Sequence, residues 1–195
     1  MSWKRLWISC LAGPVAVVLA WVVIGASWYM NREWFVFVRD AYSDFGGPES
    51  CCPGLYNYGL MLVGALVVVF GACTYLCAPG RLGAAGGAYF ALAGVFLALI
   101  GVFPSGTRPH TFVSTWFFVQ ADMGLVLLLA SMRRGGGLTR LALLASILAF
   151  PVAGIVEVAV GWPSAAVVET YGIIIIDIGA IAAFLWCRRH LHTRV

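Results

Sequence analysis

Hydrophobic positions along this chain fall into long unbroken runs, and polar positions gather in the short gaps between them. A helix needs about 20 apolar residues to cross a hydrocarbon core roughly 30 Å thick, and six runs reach that length. Helices are expected at about 7–29, 55–77, 83–103, 111–132, 141–160 and 165–187. Each gap holds residues that stop a helix or resist lipid: the charged segment beginning Asn31-Arg32-Glu33, then Pro79-Gly80-Arg81, Pro104-Ser105-Gly106, Arg133-Arg134-Gly135-Gly136-Gly137 and Gly161-Trp162-Pro163. A β-barrel would show alternating segments of about ten residues, whereas Leu125 to Ala130 and Ile173 to Ile176 are continuous. The expected fold is an all-α integral membrane protein, a single six-helix transmembrane domain over residues 1–195. Lys4 and Arg5 ahead of the first run also resemble the start of a signal peptide. That run is too long for an ordinary signal core, so a retained helix is expected.

Composition agrees with the pattern. Of 195 residues, 62% are hydrophobic and 10% charged, against roughly a quarter charged in a soluble domain. A water-soluble fold could not cover so large an apolar fraction, so the bilayer is the expected solvent.

Charge then sets an expected orientation. Lys4, Arg5, Arg81, Arg133, Arg134, Arg140, Arg188, Arg189 and Arg194 fall in alternate connections, and the other connections hold Arg32, Arg39 and Arg108. Basic residues are retained on the cytoplasmic side, which puts both termini there, in a cell membrane. The acidic residues avoid that side. Glu33, Asp40, Asp44 and Glu49 lie in the first external loop, and Asp122, Glu157, Glu169 and Asp177 lie within helices. The net charge of +4 thus belongs to the inner face, where it serves topology and contact with anionic lipid rather than nucleic acid.

Small residues mark where helices approach closely. Gly87, Gly94 and Gly101 recur every seven residues on the third helix, and Gly59, Gly64 and Gly71 lie on the second. The external loop, about 30–54, carries an apolar stretch from Trp34 to Val38 between charged pairs. This composition suits an interfacial cap over one end of the bundle, either helical or irregular.

Polar residues near the external ends form the first candidate site. His110 opens helix four, Glu169 lies about one turn inside helix six, Glu157 lies near the external end of helix five, and Asp44 precedes helix two. With Ser43 and Asn57 they could converge on one pocket. His110, Glu157 and Glu169 are candidate ligands for a divalent metal, or an acid/base set for headgroup hydrolysis. The competing reading pairs Glu157 and Glu169 with Arg108, Arg32 or Arg39 to hold the loop in place. Asp122 and Asp177 form a second candidate set. Each is about twelve or thirteen residues from the external end of its helix, near the midplane, where an ionised carboxylate costs about 2.5 to 3.5 kcal/mol on insertion scales. Each is therefore expected to be protonated, hydrated, cation-bound or hydrogen-bonded across helices.

Other chemistry finds no purchase. Cys51 and Cys52 lie in the external loop, where a disulfide within the loop or to a partner chain stays open. Cys10, Cys73, Cys77 and Cys187 lie near the cytoplasmic ends, and without a Cys-x-x-Cys pair a thiol oxidoreductase is disfavoured. Cys73 and Cys77 share a helix face and are read as packing residues. His190 and His192 sit in the basic tail, leaving His110 alone near a membrane segment and no bis-histidine haem site. No phosphate-cradling loop or nucleophile elbow occurs, so no nucleotide and no cofactor is identified beyond the candidate metal.

Two blocks carry a family resemblance. Tyr42-Ser43-Asp44-Phe45-Gly46, followed by Gly54-Leu55-Tyr56-Asn57-Tyr58-Gly59-Leu60 and Val63-Gly64, resembles the first motif of the membrane family known as domain of unknown function 998. Gly101-Val102-Phe103-Pro104 with His110 is similar to its second. The resemblance implies a six-helix membrane fold and no assigned activity. By position, Ser43, Asp44, Asn57, Pro104 and His110 match its motif residues. The chain departs from the pattern in its Cys51-Cys52-Pro53 insertion and in lacking a basic residue after Glu169.

Three function classes fit these residues. Minimal loops and abundant aromatics favour a non-catalytic accessory or stabilising subunit of a membrane complex, with other membrane subunits as partners. The alternatives are a lipid-headgroup-binding protein or metal-dependent hydrolase at the external face, and proton or cation translocation through Asp122 and Asp177.

Overall fold

The structure is a computed structural model that describes residues 8–132 and 136–192, the side chains of 191 and 192 excepted. Lys4, Arg5, Arg133, Arg134 and Arg194 and the His192 side chain, all used in the sequence reading, lie outside the described residues. The helices are α1 (Ala12–Asn31), α2 (Pro53–Cys77), α3 (Gly80–Val102), α4 (His110–Ser131), α5 (Gly137–Ala159) and α6 (Ala165–His192). All six are long and apolar enough to span a membrane, and the first such span reaches back to Ile8. No strand occurs among the described residues.

Packing is uneven. The tightest pairings are α2 with α3 and α3 with α4. Their closeness depends on missing side chains: a Cβ on Gly64 would sit 2.6 Å from the Gly94 carbonyl oxygen, so the two backbones touch where any other residue would force them apart. Helix α5 is peripheral, lying against α4 and α6 with Pro151 inside it. Only 11% of its apolar window is buried, against 33 to 44% in the other five helices.

The connection 32–52 is a folded cap, neither a long helix nor a loose loop. Its apolar residues divide: Val36, Phe37 and Val38 are exposed, whereas Phe35 and Phe45 are buried with ring centroids 4.5 Å apart. Tyr42 and Tyr56 pack against Phe45 and complete an aromatic plug over one end of the bundle. The start of the cap is fixed by Asn31, which is buried and donates to the Ser27 carbonyl at 2.8 Å. Its side-chain oxygen accepts from the Trp34 indole and the Cys51 amide, at 3.2 and 3.0 Å. The first half of the cap docks on the start of α6 and the residue before it. The Ser164 hydroxyl donates to the Phe37 carbonyl at 2.6 Å, and the Ala166 amide to the Asp40 carbonyl at 3.0 Å.

Candidate functional site

The motif residues meet at the cap, and most of their hydrogen-bonding capacity is spent there. A short 3-10 helix, Tyr42–Gly46, presents its first backbone amides to two carboxylates. Asp44 accepts the Ala41 amide at 2.9 Å and the Ser105 hydroxyl at 3.1 Å, tying this turn to the connection between α3 and α4. Glu169, reaching from α6, accepts the Tyr42 amide at 2.9 Å, while Tyr42 and Thr170 share a hydroxyl hydrogen bond of 2.9 Å. Asn57 donates to the Gly46 carbonyl at 3.0 Å. The His110 ring nitrogen Nδ1 lies 2.8 Å from the Phe103 carbonyl, which can only accept, so Nδ1 carries the proton. Ser43 is buried beside these groups.

Glu157 does not join them. It is exposed and faces the turn after its own helix, where its carboxylate is 3.3 Å from the Trp162 amide. Among the described residues no three His, Cys, Asp or Glu side chains are grouped to hold a metal ion, so His110, Glu157 and Glu169 are not assembled as a ligand set. The expected arginine pairing is also corrected. Arg39 pairs with Asp40 at 2.6 Å, and Arg32 lies over the Tyr29 ring, 4.4 Å from its centroid. Among the described residues neither Glu157 nor Glu169 has an arginine partner, because the cap's own backbone satisfies the carboxylate that holds it.

Below the cap lie two adjoining cavities. The central one, about 90 Å³, is enclosed by α1, α2, α3, α4 and α6 and runs from Tyr42, Ser43 and Glu169 down to Asp177. The lateral one, about 230 Å³, opens between α4, α5 and α6 and holds Asp122, Glu169, Thr115 and Tyr171 among apolar residues. Glu169, Phe118 and Ile176 line both. Among the described residues no Lys, Arg or His lines either cavity.

The two deep aspartates have different surroundings. Each lies twelve residues past the first residue of its helix, His110 or Ala165. Asp177 accepts the Trp21 indole N–H at 2.8 Å, a cross-helix hydrogen bond of the kind expected. Asp122 has a buried Oδ1 with no hydrogen-bond partner among the described residues. A buried acceptor without a donor costs about 1 to 3 kcal/mol, so this oxygen is a place for a proton, a water or a ligand. The sequence reading passed over Trp21 and took Asn31 only as a helix stop. A mid-helix indole in lipid still needs an acceptor for its N–H, and that need was the available signal for Trp21.

The family described as "Protein of unknown function (DUF998)" matches residues 14–186. The chain belongs to this family. In this DUF998 protein the motif blocks form one latch: Asp44 to Ser105, Asn57 to Gly46, and His110 to Phe103. No curated protein and no solved structure matches the chain.

Proposed function

We propose that this protein binds a lipophilic cation, of the class of long-chain amines or quaternary ammonium amphiphiles, within the membrane. The reading rests on the unpartnered Asp122 oxygen, buried in a lateral cavity that also holds Glu169 and no basic residue. An unpaired carboxylate in low dielectric attracts a positive charge strongly, and the apolar walls suit an alkyl chain. Phe118, Phe150 and Tyr171 add ring faces that also favour a cation. The loosely packed α5 offers an entry from the bilayer. On the charge bias of the whole sequence, the cap faces outward and both termini lie in the cytoplasm of a cell.

The test uses the full chain in nanodiscs with three probes of equal chain length: dodecyltrimethylammonium, dodecanol and dodecyl sulfate. Thermal unfolding should shift upward with the cation alone, and Asp122→Asn should abolish the shift. Equal shifts from all three probes, or an unchanged shift in Asp122→Asn, would overturn the reading.

A second reading, an accessory subunit of a membrane complex, is supported by the low burial of α5. Native mass spectrometry of the protein extracted from its own membrane separates the two. A partner of fixed stoichiometry that cross-links to α5 favours the subunit.

A further inference from the structure

At the end of the bundle opposite the cap, four cysteines from three helices come together. Cys10 and Cys73 are joined as a disulfide between the start of the first span and α2, with Cα atoms 5.5 Å apart, inside the usual range for such a bond. This corrects the reading of Cys73 as a packing residue. Cys77 follows Cys73 by four residues on α2, so their side chains lie on one face, about 5 to 6 Å apart at Cβ. Cys187, on α6, which packs against α2, lies beside Cys77. Cys10, Cys73 and Cys187 are fully buried, and Cys77 is partly buried.

A disulfide that merely braces two helices needs no dithiol beside it. Here a disulfide and a dithiol share a buried site, in a chain without a Cys-x-x-Cys motif, because the pairs are assembled from three helices and not from neighbouring residues. We propose that the four cysteines form a thiol–disulfide exchange centre that moves one covalent link between Cys10–Cys73 and Cys77–Cys187.

The chemistry closes without an outside oxidant. The Cys77 thiol, the least buried of the four, loses its proton and its thiolate attacks the Cys10 sulfur. A Cys10–Cys77 bond forms, the Cys10–Cys73 bond breaks, and Cys73 leaves as a thiolate that takes up the proton. Cys187 then attacks Cys77, forming Cys77–Cys187 and releasing Cys10, which takes the proton from Cys187. One disulfide and two thiols exist before and after. The first state links α2 to the start of the first span, and the second links α2 to α6.

The experiment uses the full chain in a Cys51→Ser/Cys52→Ser background, purified without reductant and equilibrated at graded pH before trapping with N-ethylmaleimide. Peptide mapping by mass spectrometry then assigns the disulfides. As Cys77 and Cys187 lose alkylation, Cys10 and Cys73 should gain it in equal measure, with the Cys77–Cys187 link appearing. In Cys187→Ser the intermediate Cys10–Cys77 link should accumulate. Cys73→Ser, oxidised by one equivalent of glutathione disulfide, should give Cys10–Cys77 or Cys77–Cys187, and serves if the first variant does not fold. Recovery of Cys10–Cys73 alone at every pH, with Cys77 and Cys187 fully alkylated, would overturn the proposal. Absence of every Cys77 link from the foldable variant would do the same.

Discussion

The Trp21 indole donates to the Asp177 carboxylate at 2.8 Å, joining α1 to α6 at a residue that lines the central cavity. These helices otherwise meet sparsely, so the hydrogen bond supports that wall of the bundle. Removing its donor with Trp21→Phe should lower stability by about 0.6 kcal/mol, the average for such bonds in membranes, and by no more than about 1.7 kcal/mol. Asp177→Asn keeps an acceptor and should cost less. A double-mutant cycle followed by thermal unfolding checks both values.

Glu169 has two separable roles. Its carboxylate holds the Tyr42 amide and also lines both cavities. Glu169→Gln retains an acceptor for the amide, so the cap should keep its resistance to protease while cation-induced stabilisation falls. Glu169→Leu removes the acceptor as well, and cleavage between residues 32 and 52 should then speed up. Equal proteolysis of the two variants would contradict the assignment of the carboxylate to the cap.

Gly46 and Asn57 form a single contact. A Cβ on Gly46 would lie 3.1 Å from the Asn57 side-chain carbon, with its amide oxygen closer still. Gly46→Ala should therefore push Asn57 from its hydrogen bond and cost about 1 to 3 kcal/mol. In an Asn57→Ala background the same change should cost markedly less. Chemical unfolding of the four members of the cycle would show additivity if the contact were unimportant.

The Arg39–Asp40 pair makes the cap sensitive to acid. The guanidinium beside Asp40 holds its carboxyl below the usual range, helped by the Val36 amide. A depressed folded-state value stabilises above the unfolded pKa of about 3.9, and that contribution is lost as pH falls through the lower folded value. The fluorescence of Trp34, which packs on Phe35, should report a change in that acid window. Asp40→Asn should remove the transition, and the exposed position of Arg39 means salt should weaken it.

Much of the fold was legible because lipid imposes a simple demand on each segment: bury the backbone in a helix and face outward with apolar side chains. The differences are instructive. α5 starts at Gly137, earlier than the expected 141, because a glycine run hides a helix start from composition. α6 continues to His192 through Arg188 and Arg189, because charge marks the membrane edge and does not end a helix. The site was harder to read. Ser43, Asp44, Asn57 and His110 are polar near a membrane surface, which is equally the signature of chemistry and of backbone satisfaction. Asn57, Asp44 and His110 each bond a backbone group, the Gly46 carbonyl, the Ala41 amide and the Phe103 carbonyl. Contacts such as Trp21 with Asp177 depend on how helices turn toward one another, and hydropathy contains no record of that rotation.

With the Cys10–Cys73 bond closed, most of the first span, the cap and most of α2 form a covalent ring spanning 63 residues of sequence. A protease that cuts the cap once opens the ring but leaves both fragments attached, so the cut protein runs as one species until reductant is added. Should the link pass to Cys77–Cys187, the same cut would free the amino-terminal helix altogether. The cysteine state at one face of the membrane thus decides whether damage at the other face dismantles the bundle.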